Sequence, residues 1–259
     1  MNIKKSINKI IELINLINKH IENKQKILIV FDIDETIISP KPTIGSDKWF
    51  RRCIKENPDD IDLLIEKMYY IYSIMEFKLV EQDTKKLINV LDNNLIDYLC
   101  LTARNPLFTS HTIKHLTDAG VNDTFVRNNI LNVSDCLNIK LKNTVKDNFV
   151  SSYGIRYLDN ICHSSGNHKG EIITHILENH YESTQECNYD VIIFIDDSDR
   201  NINKVYDSFL QDDCYKSSIN YCIHYLFMED YKNNYSDQEY INDSKKLDDL
   251  LDMKQIINN

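Results

Sequence analysis

Two uninterrupted apolar runs constrain this chain more than any other feature, because both stop abruptly at carboxylates. Lys26–Phe31 (KILIVF) runs into Asp32, and Asp190–Ile195 (DVIIFI) runs into Asp196–Asp197. A short apolar run with no polar alternation is the pattern of a strand buried on both faces, the usual state in a parallel sheet. Ile96–Leu101 repeats the pattern and ends in Thr102. Tyr221–Met228 also reads as a buried strand, and Ile155–Cys162 is a less regular candidate. Helical patterns separate these runs. Asn105 and Pro106 suit a cap and first turn for a helix reaching Ala119 and stopping at Gly120. Apolar residues share one face over Gly170–His180 (Ile172, Ile173, Ile176, Leu177) and over Asn201–Leu210 (Ile202, Val205, Tyr206, Phe209). Strands alternating with helices predict an α/β protein with a doubly wound, parallel sheet. Ligands of such sheets gather beyond the carboxyl ends of the strands, where Asp32, Thr102 and Asp196–Asp197 all fall.

Residues 41–97 interrupt the alternation. A plain crossover needs one helix, but Ile61, Leu64, Ile65, Met68, Ile71 and Met75 form one stripe, and Leu87, Val90 and Leu91 suggest another. The segment is expected to be a helical cap inserted above the sheet, with turns or hinges at Lys41–Asp47 and Pro58–Asp60. The core is then 26–40 together with 98–259. Before it, residues 1–25 are predicted to form an amphipathic helix packed on the core, with Ile7, Ile10, Ile11, Ile14, Ile17 and Ile21 in phase. Asp230–Asn259 reads as polar, then weakly helical around Leu247–Met253.

No apolar stretch reaches the roughly 20 residues of a membrane-spanning helix, and no signal peptide is evident, so a cytoplasmic location is expected. Seven cysteines, an odd number without a CxxC pair, suit buried free thiols better than a disulfide framework. The net charge of -10 gives no basic footprint for nucleic acid, and none is expected as a partner. Oligomeric state is not legible.

The chemistry centres on Asp32-Ile33-Asp34-Glu35-Thr36. Carboxylates at i and i+2 converge if the backbone turns, and their repulsion then calls for a proton or a cation. A hard cation such as magnesium suits all-oxygen ligands; a solvated acidic turn is the competing reading. Asp196-Asp197, with Asn201 four residues on, is a second acidic strand end. Thr102 offers a hydroxyl, and Lys169, after Asn167 and His168, offers an ammonium at a helix start.

These segments resemble the haloacid dehalogenase superfamily of phosphohydrolases: DIDET at 32–36, LCLTAR at 99–104, Lys169 in HKGE, and IDDSDRN at 195–201. More narrowly, GSDKWF at 45–50 together with TARN resembles a little-characterised, DUF2608-like family known from bacteria such as Legionella. The superfamily resemblance implies a Rossmann-like core with a helical C1-type cap, and a magnesium-dependent phosphomonoesterase acting through an aspartyl-phosphate. It implies Asp32 as nucleophile, Asp34 as general acid and base, Thr102 and Lys169 as phosphoryl ligands, and Thr36 as a loop-fixing residue. Magnesium would be bound by Asp32, Asp34 (through its backbone carbonyl), Asp196, Asp197 and Asn201, with Asn201 standing where many relatives carry Asp.

Candidate substrate contacts are softer. Lys48, Trp49 and Arg51 follow the first motif and suit closure over a ligand, although core packing is the favoured fate of Trp49. Arg104 suits either phosphate or a salt bridge, and His168 adjoins Lys169. His111 and His115 share a helix face and read as surface histidines. A small phosphorylated substrate is expected. Transfer to an acceptor other than water, action on a phosphoprotein, and non-catalytic binding of a phosphate ligand are the alternatives.

Overall fold

The structure, a computed structural model, describes residues 1–41, 43–56, 61–121, 154–158, 160–184 and 189–257. The two acidic-tipped runs become neighbouring central strands, β2 (Ile27–Phe31) and β8 (Val191–Asp196), every residue of both buried. They pair in parallel with Val30 opposite Phe194, and β2 also pairs in parallel with β5 (Asp97–Thr102). The remaining strands are β1 (Asn2–Ile7), β6 (Arg156–Leu158), β7 (Ile161–His163) and β9 (Ile219–Tyr225). Among the described residues they form a seven-stranded sheet in the order β1-β9-β8-β2-β5-β7-β6, parallel except at β6–β7.

Alternation along β2 divides the core. Leu28 and Val30 face Ile172 and Ile176 of α6 (Lys169–Thr184) and Ile202 and Val205 of α7 (Asp199–Gln211). Ile27, Ile29 and Phe31 face the other way, toward α1 (Ile10–Glu22) and α4 (Thr84–Asn93), which pack on each other. Helices therefore cover both faces, as a parallel sheet requires. Gly170 lets α6 approach α7 closely: a Cβ there would collide with the Ser208 hydroxyl and lie 3.1 Å from the Lys204 carbonyl.

Several expectations are corrected. Asn2–Ile7 is not helical; it is a strand in register with Asn220–Tyr225, and the helix starts only at Ile10. The ladder to β9 pairs one side of this backbone, and Ile7 is buried as the last residue of the strand, not as the first of a helical stripe. The irregular run Ile155–Cys162 is two antiparallel strands broken at Asn160, which has φ 63°. Asn160 donates from its side chain to the Tyr98 carbonyl at 2.5 Å and accepts from the Tyr157 hydroxyl at 2.9 Å. The C-terminal stretch forms α8 (Glu229–Asn234) and a long helix, α9 (Asp237–Ile257).

Between β2 and β5 lie α2 (Asp47–Glu56), α3 (Ile61–Ile74) and a two-stranded ribbon of β3 (Ile38–Pro40) and β4 (Phe77–Leu79). Helix α9 braces them: Arg52 ion-pairs with Asp237 and stacks on Tyr240, and the Tyr70 hydroxyl donates to the Leu250 carbonyl. Among the described residues no helix is long and apolar enough to cross a membrane. Cys53, Cys100, Cys162 and Cys222 are buried free thiols and Cys214 is exposed. Cys136, Cys187 and the Pro58–Asp60 turn lie outside the described residues.

Candidate active site

Asp32 continues β2 by one residue, its backbone N–H donating to the Ile195 carbonyl at 2.9 Å, so the tips of β2 and β8 stay locked together. Beyond it the chain turns sharply. The N–H groups of Ile37 and Ile38 both donate to the Ile33 carbonyl, and Glu35 takes φ 59°. Lys169, at the start of α6, reaches between the two strand ends, 2.5 Å from Asp32 Oδ1 and 2.7 Å from Asp196 Oδ2. Asp196 also accepts from the Ser198 backbone N–H at 2.8 Å and from the Asn201 amide at 3.0 and 3.2 Å. Thr36 Oγ1 lies 3.4 Å from Asp32 Oδ2. One carboxylate oxygen each from Asp32, Asp196 and Asp197 falls within 4.8 Å of the others.

Burial drives Lys169 down, but Asp196 and Asp32 outweigh it and hold the ammonium charged. Burial pushes Asp32 up to about 7; Lys169 pulls it down, while Asp196 and Asp34 push it further up. An ionised Asp32 is thus costly even beside Lys169, because burial and two neighbouring carboxylates outweigh that one cation.

The carboxylate of Asp34 stands apart from this triplet. Arg104 grips it with both arms of the guanidinium, Nε to Oδ2 at 2.8 Å and NH2 to Oδ1 at 2.6 Å. Burial acts to raise Asp34, but the Arg104 charge and these bonds hold it below its ordinary value. Thr102 Oγ1 accepts the Arg104 backbone N–H at 3.1 Å and faces Asp34 Oδ2 at 3.4 Å. Of the two fates open to Arg104, the salt bridge is the one observed.

Behind Arg104 lies a layer of buried histidines. Arg104 NH1 donates to Thr112 Oγ1 and to His115 Nδ1, both at 3.1 Å, and His115 Nε2 donates to the Tyr72 carbonyl at 2.8 Å. The ring of His115 stacks on Phe77, with centroids 3.8 Å apart. His111 and His115 are therefore not surface residues; they are buried, because α3 and β4 cover α5 (Thr109–Asp118). Burial, then Arg104, lowers both His115 and the equally buried His163 to about 3. Each folded value lies below the unfolded one of about 6.5. At these two sites the unfolded chain therefore binds more protons between pH 6.5 and 3, and their contribution to stability falls as pH drops through that window, partly opposed by Asp32, whose raised value adds stability as pH falls below 7. The limiting slope is about 1.4 kcal/mol per pH unit for each histidine. Urea midpoints measured at pH 7.5 and 5.5 should show the loss, and His163→Phe should shrink it; an unchanged slope in that variant would mean that His163 is not held neutral.

A cavity of about 260 Å³ opens over Asp32, Asp34 and Asp197. It is small beside the roughly 300–1,000 Å³ of typical ligand sites. Phe50, Arg51 and Ile54 of α2 line it, as do Ile65, Met68 and Tyr72 of α3. Trp49 and Lys48 do not. Trp49 is 1% exposed and packs in the core, and Lys48 is half-buried on a different side of α2 from Phe50. His168 also misses the cavity, its Nδ1 accepting the Glu171 backbone N–H at 3.3 Å. Asn105 lines the cavity, but its side chain caps the following 3₁₀ turn by accepting from the Leu107 N–H at 2.9 Å. Sequence reasoning missed Arg200 and Lys204, one turn apart on α7 and on either side of Asn201, which also line the cavity. Their i, i+4 spacing from each other, on the helix that follows the acidic strand end, was the available signal.

Fold and site together define an α/β protein with a mostly parallel sheet and a buried, lysine-bridged aspartate cluster at its carboxyl edge. The chain belongs to the DUF2608 family, described as a protein of unknown function, whose family model matches residues 7–256. No curated protein matches the chain, and no solved structure does.

Proposed function

We propose that this protein is a magnesium-dependent phosphomonoesterase of the haloacid dehalogenase type, with Asp32 as nucleophile and α2 and α3 as a cap over a Rossmann-like core. The observation that carries the reading is Lys169 bridging Asp32 and Asp196, with Asp197 alongside. Three oxygen donors so close together, two of them buried, fit a hard divalent cation. Asp32, Asp196 and Asp197 would hold it, while the Asn201 amide orients Asp196. Bound magnesium would neutralise charge on the phosphoryl oxygens.

The protein's own groups account for the rest. An Asp32 oxygen attacks phosphorus; the new P–O bond forms as the ester P–O bond breaks, and its electron pair leaves on the alcohol oxygen. Lys169, bonded to Asp32 and Asp196 from behind the cavity, would offset the charge that gathers on the phosphoryl group. Thr102, buried with its hydroxyl on Asp34, holds that carboxylate rather than lining the cavity. The leaving oxygen needs a proton, and Asp34, ionised against Arg104, can relay the one that a monoanionic ester brings with it. Ionised Asp34 is also ready to take a proton from the water that attacks the aspartyl-phosphate, which releases inorganic phosphate and regenerates Asp32. The small cavity favours a small ester over a phosphoprotein.

Phosphate release from p-nitrophenyl phosphate and from primary alkyl phosphates tests the proposal. Release should require magnesium, stop with EDTA and return when magnesium is restored. Absence of release from every ester, with the metal present, would overturn it.

A further inference from the structure

The chemistry of the cavity wall restricts the alcohol that the site can accept. One wall is built by Phe50, Ile54, Ile65, Met68 and Phe108, with Tyr72 beside them, drawn from α2, α3 and the turn after β5. The first five offer no hydrogen bond. Several polar side chains elsewhere in the lining already use part of their hydrogen-bonding capacity within the protein, and Arg200 and Lys204 lie away from the α2–α3 wall on α7. Ser46 Oγ accepts from the Trp49 N–H at 3.3 Å, and Asn105 Oδ1 from Leu107. Ser165 Oγ donates to the Gly154 carbonyl at 2.6 Å, and Asn167 Nδ2 to the Ser164 carbonyl at 2.7 Å. Arg51 is tied to Asp47. A ring bearing several hydroxyls would lose its water without matching partners along that wall, whereas a hydrocarbon ring would gain by leaving water.

We infer that the pocket takes the phosphomonoester of a small apolar alcohol, alicyclic or aromatic, in preference to a sugar phosphate of the same size; this rests on the phosphohydrolase reading. The carboxylates bind the phosphoryl end and the α2–α3 wall receives the hydrocarbon.

Cyclohexylmethyl phosphate and glucose 6-phosphate make a matched pair. Both are six-membered-ring esters of primary alcohols, so the bond broken at phosphorus is alike. With magnesium present, kcat/KM should favour the cyclohexylmethyl ester by about tenfold or more. Ile65→Asn and Phe50→Ser both alter half-buried wall residues, so at least one should fold, and either should reduce the ratio. Turnover of both esters at equal rates, or faster turnover of the sugar ester, overturns the inference and leaves the hydrolase reading standing. A preference that folded wall variants leave unchanged overturns it too, since the wall is then not its source. No turnover of either ester while p-nitrophenyl phosphate is hydrolysed overturns this inference alone; no turnover of all three sinks the hydrolase reading, and this inference with it.

Discussion

Lys169→Met is expected to destabilise the protein by about 3–5 kcal/mol, the range for removing one partner from a buried ion pair. The Lys169 side chain is 3% exposed, and its two acceptors, Asp32 and Asp196, are 7% and 0% exposed. Methionine fills a similar volume but leaves two carboxylates facing each other in a site with little water. Asp196 would keep the Ser198 N–H and the Asn201 amide. Asp32 would keep only the long contact from Thr36 among its hydrogen bonds described here. Relief should come from protonation or from a cation, so added magnesium should raise the variant's melting temperature more than the parent's. Activity should fall by about a hundredfold to a thousandfold, the loss typical of removing one group that stabilises transition-state charge. A metal-free variant as stable as the parent would show that Lys169 does not hold the carboxylates together.

The strand tips were legible in the sequence because a buried parallel strand leaves a long apolar run, and a polar residue at its end breaks that run abruptly. Asp32, Thr102 and Asp196 were each found this way, and Lys169 by its place at a helix start. Other features depend on partners far away in the chain. Nothing near His111 or His115 announces burial; the rings that cover them, Tyr69, Tyr72 and Phe77, come from some 40 residues earlier. Arg104 carried no local sign of choosing Asp34, since its position depends on Thr112 and His115 one helix further on. The first strand was missed because isoleucines at 3 and 7 suit a helical phase as well as an edge strand. Of the two fates open to Trp49, core packing is the one observed, and helix phase decides it. Adjacent positions on a helix differ by about 100°, so Trp49 and Cys53 turn into the core while Phe50 and Ile54 reach the cavity.

Asp32→Asn separates stability from chemistry at the same position. An amide cannot attack phosphorus as a carboxylate does, so turnover should fall by at least about a thousandfold. Stability should move the other way or not at all. Burial, reinforced by Asp196 and Asp34 and opposed by Lys169, raises Asp32 to about 7 from an unfolded value near 3.8. An acid whose folded value is raised contributes stability below its unfolded value and loses it as pH rises through the folded value. At pH 8 and without metal, the ionised side chain therefore opposes folding, and a neutral amide of the same shape removes that opposition. Lys169 keeps Asp196 as its counter-charge in the variant. The expected record is a metal-free melting temperature at pH 8 equal to or above the parent's, together with a smaller rise on adding magnesium, because one oxygen donor of the triplet has lost its charge. On the proposed mechanism, such a group would be retained at a cost to the fold because the reaction needs it. A variant that is inactive but also strongly destabilised would mark Asp32 as a structural carboxylate, held by Lys169 for the sake of the fold, and would remove the nucleophile from the proposed mechanism.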